Sequence, residues 1–192
     1  MSCTGADAHL LYLGRDQITG ADVGFATSVF DTGCHKYLGS NKFERLLTNK
    51  TSSKIVIQCA IGSQLTHGGF NGSVFMYFMS LAIGCTGGLY KADIDTAPNM
   101  TLNLMGYNQF HRDGYALHVP GADTDGGELS EACLFRDKHV LPLQYDPGLD
   151  FLVARTVVSS DAEAALRWGR KMEQQLQLIT HGKAACGTAR QV

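Results

Sequence analysis

Hydrophobic and polar positions alternate over short segments in the second half of the chain. From residue 100 to 158, segments rich in β-branched and aromatic side chains are separated by polar turns, which predicts an antiparallel meander. Its expected strands are 100–110, 115–119, 128–135, 139–145 and 150–158. Pro142 should confine its segment to a sheet edge or make it a poor strand, because proline has no N–H to donate. Residues 9–13 and 24–30 have the same character and could pair with each other.

A helical period appears at the C-terminal end of this pattern. Ser160 and Glu163 have the spacing of a capping box, which marks the start of a helix. Ala165 and Met172 are seven residues apart and lie on one helical face. We therefore predict a helix that runs from Ser160 to about Ile179 and docks its apolar stripe on the rest of the fold.

Residues 74–83, "VFMYFMSLAI", are almost continuously apolar. A helix of this sequence would be buried on every side, and the polar and glycine residues 71–73 and 84–88 could start and stop it. Met, Leu and Ala favour a helix, although periodicity alone leaves a buried strand open. A short helix at 40–47 and a strand at 54–61 are expected before it.

The order of these elements resembles a known family. The series "KFERLL", then "THGGFNG", then the apolar segment, then strands, is similar to the hotdog-fold acyl-thioester enzymes of the phenylacetate-pathway thioesterase type. The likeness covers about residues 40–158, with His-Gly-Gly as its motif. It implies an α+β fold in which a curved antiparallel β-sheet wraps around one buried central helix, with an added C-terminal helix.

The resemblance also implies a function. Such a protein would hydrolyse or bind an acyl thioester of CoA or of an acyl carrier protein, and it would hold the developing oxyanion at the N-terminus of the central helix. By this likeness the catalytic residues are His67, Gly69 and Asn71. The substrate-binding residues would be Gly68, Phe70, Ser73, Phe75 and Met79.

One feature of the family is missing from the sequence. Related thioesterases carry an Asp or Glu on the central helix about two turns past the His-Gly-Gly motif, whereas residues 74–79 contain no carboxylate. Asp93, Asp95 and Glu131 are the candidates to supply one from elsewhere. A plain structural turn explains His67-Gly68-Gly69 equally well, because glycine-rich turns often precede core elements.

Composition narrows the classes of partner. The 192 residues are 44% hydrophobic and 18% charged, which fits one domain, taken as residues 1–180, with a flexible tail at 181–192. Sixteen basic and eighteen acidic side chains give a net charge of -2, and no basic stripe favours nucleic acid. The weak self-repulsion permits a homo-oligomer, a dimer or larger. The longest apolar run is too short to span a membrane, so no membrane partner is expected.

The six cysteines are scattered without a CxxC pair, so zinc is not expected. His111, Asp113 and His118 could ligate a metal, but they flank a predicted hairpin turn where polar residues are common, and we expect neither metal nor cofactor. Cys85 is interpreted as a buried, inert thiol. The first residues lack a secretory pattern, which favours a cytoplasmic location.

A second function class fits the same sequence. Twenty-two glycines, many short strands and few strong catalytic residues are compatible with a structural assembly subunit, such as a phage tail-tube or capsid-decoration protein. This alternative predicts a β-sandwich with a flanking helix and a location in a virion. The long apolar segment after His67 is more than a thin sandwich needs.

Overall fold

The computed structural model describes residues 10–59, 62–98, 100, 102–120 and 132–188, with side chains for all of these except 55–59, 62–68 and 181–188. The described chain is mainly β. Its strands are β1 (Leu11–Arg15), β2 (Asp22–Asp31), β3 (Tyr37–Ser40), β4 (Thr48–Cys59), β5 (Gly62–Phe78), β6 (Gly88–Ala97), β7 (Asn103–Gly106), β8 (Ala116–His118), β9 (Ala132–Arg136), β10 (His139–Asp146) and β11 (Phe151–Ser159). The helices are a 3₁₀ helix (Asn41–Arg45), α1 (Tyr107–Arg112) and α2 (Ala162–Thr188).

Six strands form a closed mixed barrel. Their order is β2, β7, β3, β6, β5 and β11, and the barrel closes because β11 pairs with β2 along Val153–Ser159. The β2–β7 and β3–β6 pairs are parallel, and the other barrel pairs are antiparallel. β1 extends β2, β10 to β8 continue from β11 as an antiparallel sheet, and β4 pairs with β5 outside the barrel path.

The predicted central helix is wrong, and with it the hotdog-like α+β fold. The first residues of segment 74–83 are the end of β5, and no helix wrapped by a sheet occurs in the described chain. Val74 and Met76 point into the barrel, whereas Tyr77 and Met79 pack beneath α2. Because both faces of this strand are buried, its sequence lacks the usual alternation and resembles that of a buried helix.

α2 forms the second layer over the barrel wall. The backbone of α2 comes closest to β5 at Gly169, where an added Cβ would lie 2.3 Å from the ring of Tyr77. Trp168, Met172 and Leu176 surround this contact. The helix therefore covers the outer face of β5, while the inner face contributes to the barrel core.

Several local predictions are confirmed. β8 to β11 form the expected antiparallel meander, and β1 pairs with β2. The C-terminal helix is present, although its cap is Asp161, whose Oδ1 accepts from the Ala164 N–H at 2.9 Å, and it extends to Thr188. The strand expected at 100–110 is only half correct, because β7 ends at Gly106 and α1 follows.

Candidate functional site

Seven of the eight sequence-predicted site residues lie along one strand, and Met79 follows its end. His67, Gly68 and Gly69 are within β5, where Gly69 is paired with Ser53 of β4, and no helix begins there. A Cβ at position 69 would lie 1.9 Å from the carbonyl oxygen of Thr96. This glycine is therefore required for the close approach of two backbones.

The amide of Phe70 has a protein partner. Its N–H donates to Thr96 Oγ1 at 2.9 Å, and that hydroxyl donates to the Phe70 carbonyl at 3.2 Å. The helix N-terminus that would have bound an oxyanion at this point is replaced by strand. The backbone donor at Phe70 is therefore bonded to a side chain of β6 and does not face an open anion site.

Asn71 belongs to a polar cluster around Asp95. The buried Asp95 carboxylate accepts hydrogen bonds from Asn71 Nδ2 at 3.0 Å, Ser53 Oγ at 3.3 Å and Lys36 Nζ at 3.0 Å. The Lys36 side chain is 65% exposed. The cluster ties β4, β5 and β6 together and leaves Asp95 charge-balanced, which suits a structural anchor better than a general base.

The other predicted residues do not converge on one pocket. Ser73 donates to Asp93 at 2.7 Å on the exposed side of the sheet, so this candidate carboxylate bonds to a predicted substrate-binding residue. Phe75 is half-buried opposite Lys91, whereas Met79 is fully buried beneath α2. The third candidate carboxylate, at position 131, lies outside the described residues.

A network of tyrosines at the far end of the barrel was not predicted from the sequence. Tyr90 OH donates to Asp113 at 2.5 Å, and Tyr115 OH lies 2.5 Å from His139 Nδ1. Burial, reinforced by Asp113, raises the pKa of Tyr90, and burial also raises the pKa of Tyr115. Burial and the nearby Arg136 cation lower the pKa of His139. The two tyrosines and His139 stay neutral near pH 7, and they form two separate hydrogen-bonded pairs, Tyr90 with Asp113 and Tyr115 with His139.

A carboxylate of α2 fastens the segment that follows β5. Glu173, only 4% exposed, accepts from Tyr77 OH at 2.9 Å and from the N–H groups of Ser80 and Gly87 at 2.6 and 2.9 Å. Burial and this carboxylate raise the pKa of Tyr77. One turn later, Gln177 donates to three carbonyl groups of the same segment. The helical period of the apolar side chains predicts α2, but no sequence pattern predicts the hydrogen-bond partners of Glu173 and Gln177.

The β4–β5 hairpin extends beyond the barrel. β5 pairs with β6 from Asn71 onward, and Gly69 and Phe70 still contact Thr96 of β6, whereas residues 62–68 pair with β4 alone. We call residues 48–59 and 62–70 the arm. Its free part spans six residues of β4, 54–59, or about 20 Å at 3.4 Å per residue. The arm leaves backbone edges that no described strand covers.

Two further features bear on the class of protein. Among the residues described, no cluster of His, Cys, Asp or Glu side chains has the grouping needed to hold a metal ion. No helix within the described ranges is long and apolar enough to cross a membrane. Cys85 is exposed, contrary to the sequence interpretation.

Comparison of the chain with protein-family models, with curated proteins and with solved structures finds no match. The function is therefore argued from the geometry of this chain.

Proposed function

We propose that this protein is a non-enzymatic structural subunit that assembles with copies of itself, as the building blocks of phage tail tubes and capsid decorations do. The observation that supports this is the arm, a two-stranded ribbon attached to a closed barrel. Isolated two-stranded hairpins have marginal stability in water, and open strand edges favour pairing with another chain. The open strand edges of the arm are therefore suited to pair with a second copy of the chain.

The sequence of the arm supports the same conclusion. Its outer half, "KIVIQC", is rich in β-branched residues, and Lys50 and Lys54 are its charged side chains at neutral pH. The chain has a net charge of -2, so the remainder outside the arm carries -2 minus +2, or -4. The net charge of a second copy outside its arm is therefore opposite in sign to that of the arm, which favours association.

The acyl-thioester function implied by the sequence resemblance stays a prediction without an observation in its favour. The helix on which its oxyanion site depended is a strand, and its candidate residues are spread between an exposed sheet face and the core beneath α2. Thiol release from acyl-CoA esters is the assay that would support it.

The assembly proposal is tested by removing the arm. Ser53 and Gly69 are cross-strand partners, so residues 54–68 can be replaced by a two-residue Asn-Gly turn without disturbing the barrel. We expect the full chain to form a closed homo-oligomer in sedimentation velocity and multi-angle light scattering. The arm-deleted chain should be a folded monomer with the circular dichroism spectrum of the barrel.

Two results would contradict the proposal. The first is a full-length chain that remains monomeric up to about 100 μM, a concentration well above the dissociation constants of specific assemblies. The second is an arm-deleted chain that assembles as well as the full chain.

A further inference from the structure

We infer that two copies of this chain pair the outer edges of their β4 strands, antiparallel and about a two-fold axis, to form one four-stranded sheet. This inference rests on the proposed assembly function and names the edge, the register and the symmetry of the contact. The occupant of the β4 edge is the same edge of a second copy.

The open edge of β4 is regular only in its outer part. Within the described chain, β5 is the only strand that pairs with β4. This pairing is interrupted by register shifts within residues 48–51 and 53–55, and it then runs without a shift over residues 55–59. A bulge bends and twists a strand, which turns its edge away from a further partner. Residues 55–59 therefore offer the regular stretch of this edge.

The charges of β4 follow the same division. Lys50 and Lys54 lie in the irregular part, whereas residues 55–59, "IVIQC", contain no Asp, Glu, Lys, Arg or Pro. Lysines, prolines and bulges are the devices that keep a sheet edge from pairing with another chain. β4 thus has lysines and bulges near the barrel and none of these devices over its last five residues.

The other free edges of the described chain are less suited to pairing. β1 has a register shift between Tyr12 and Gly14 and ends at Arg15, and β8 is only three residues long. The outer part of β5, residues 62–68, has a glycine at each end, and glycine weakens a strand. Three of the five residues at 55–59 are β-branched, so the outer part of β4 has the highest strand propensity among these edges.

A second copy completes a sheet that one copy leaves too small. Over residues 54–59 and 62–68 the arm consists of two strands, and a two-stranded ribbon has marginal stability in water. Pairing of the two β4 edges gives the strand order β5, β4, β4, β5, which exceeds the three strands needed for independent stability. Both copies contribute the same edge, so the contact is isologous and closes as a dimer.

The register of the contact follows from its symmetry. In an antiparallel pair with a two-fold axis the central residue faces its own copy, and the centre of residues 55–59 is Ile57. The Cβ atoms of the two Ile57 residues then lie about 5 Å apart. The two Lys54 positions are offset by six residues along the sheet, or about 20 Å, which exceeds the Debye length of about 8 Å. The like charges of the two arms therefore do not oppose this pairing.

The contact is small, so we expect a dimer of moderate affinity. Five paired residues on each strand bury less surface than an interface of standard size, and main-chain hydrogen bonds supply most of the affinity in this kind of contact. The expected Kd is on the order of 10 μM.

The test places charges at the two-fold axis. Ile57→Lys and Ile57→Glu each put two like charges about 5 Å apart in the dimer, and each should raise the Kd by about tenfold or more. An equimolar mixture of the two variants sets Lys against Glu, so it should form a heterodimer with a Kd within about threefold of the wild-type value. This rescue is specific to a contact in which position 57 meets itself.

Two controls carry the same charge at other positions. Gln64 is the β5 partner of Ile57, and in the four-stranded sheet the two Gln64 positions are three strand spacings apart, or about 14 Å. Gln64→Lys should therefore change the Kd by less than about threefold. Leu178→Lys, at an exposed apolar side chain of α2, should leave the Kd unchanged.

Sedimentation velocity over a concentration series gives the Kd of each variant. Native mass spectrometry of the mixture, with one variant isotope-labelled, counts heterodimers against the two homodimers. Circular dichroism and thermal melts establish that each variant is folded.

The outcomes separate the two proposals. A monomeric wild-type chain overturns the assembly function and this inference together. A wild-type oligomer that Ile57→Lys leaves unchanged, or a wild-type ring of three or more subunits, overturns the two-fold β4 contact and leaves the assembly function standing. A mixture without heterodimers, or a Gln64→Lys effect as large as that of Ile57→Lys, also overturns the β4 contact alone.

Discussion

Replacing Glu173 tests how strongly α2 is fastened to the barrel. Its carboxylate accepts three hydrogen bonds, from the Tyr77 hydroxyl and from the N–H groups of Ser80 and Gly87, in a site that is 4% exposed. Glu173→Ala leaves all three donors without this acceptor. Glu173→Gln keeps one carbonyl oxygen for the two backbone donors, and its amide can donate to the tyrosine oxygen.

The expected loss follows from these partners. An unsatisfied buried donor costs about 1–3 kcal/mol, and removing one member of a buried charged network costs about 3–5 kcal/mol. We therefore expect Glu173→Ala to lower the free energy of unfolding by about 4 kcal/mol. For a chain of this length this corresponds to a fall of about 10 °C in Tm. Glu173→Gln should lose about 1–2 kcal/mol, because only charge assistance is removed.

Urea unfolding followed by tryptophan fluorescence measures this loss, since Trp168 lies on α2 in the same contact layer. Gln175→Ala is the matched control, because it truncates an exposed side chain on the same helix and should change the free energy of unfolding by less than about 0.5 kcal/mol. A loss below about 1 kcal/mol for Glu173→Ala would refute the inference that this carboxylate fastens the segment.

Two further predictions concern packing and pH. Gly169→Ala should lower the free energy of unfolding in urea by about 1–3 kcal/mol, because its Cβ would lie 2.3 Å from the Tyr77 ring. This loss is expected although alanine is the better helix former. A variant as stable as the wild type would contradict the close approach of α2 to Tyr77. The folded-state pKa of His139 lies below its ordinary 6.5, so as pH falls this ring is protonated in the unfolded chain before it is protonated in the folded one. The free energy of unfolding should therefore decrease as pH falls below about 6.5. His139→Gln, which removes the titrating ring beside Tyr115, should flatten the dependence of the urea midpoint on pH, and an unchanged slope would assign it to other groups.

The meander and the C-terminal helix could be predicted because each has one buried face. Their sequences therefore show alternation or helical period, and turn residues mark their limits. β5 could not be identified in this way. Val74 and Met76 point into the barrel and Tyr77 and Met79 pack against α2, so both faces are apolar. The segment therefore lacks the alternation of polar and apolar residues by which a strand is recognised.

Barrel closure and the polar clusters around Asp95 and Glu173 could not be predicted from the sequence for a different reason. The partners of Asp95, at positions 36, 53 and 71, come from different elements, and Glu173 reaches Tyr77 across 96 positions. No local spacing encodes such contacts. The sequence named Asp93 and Asp95 only as candidates for a missing catalytic carboxylate, and their alignment with Ser73 and Asn71 follows from the register of β5 and β6.

The seam between β2 and β11 has a consequence for biosynthesis. Ala26 and Thr156 are cross-strand partners 130 residues apart, so β2 has to wait for its partner until β11 leaves the ribosome. Until then the edge of β2 that pairs with β11 has no partner strand. Local hairpins such as β4–β5 can form first because the loop that joins their strands is short. The nascent chain is consequently most prone to aggregation before β11 has emerged, and a truncated product lacking β11 would be a substrate for chaperones and proteases.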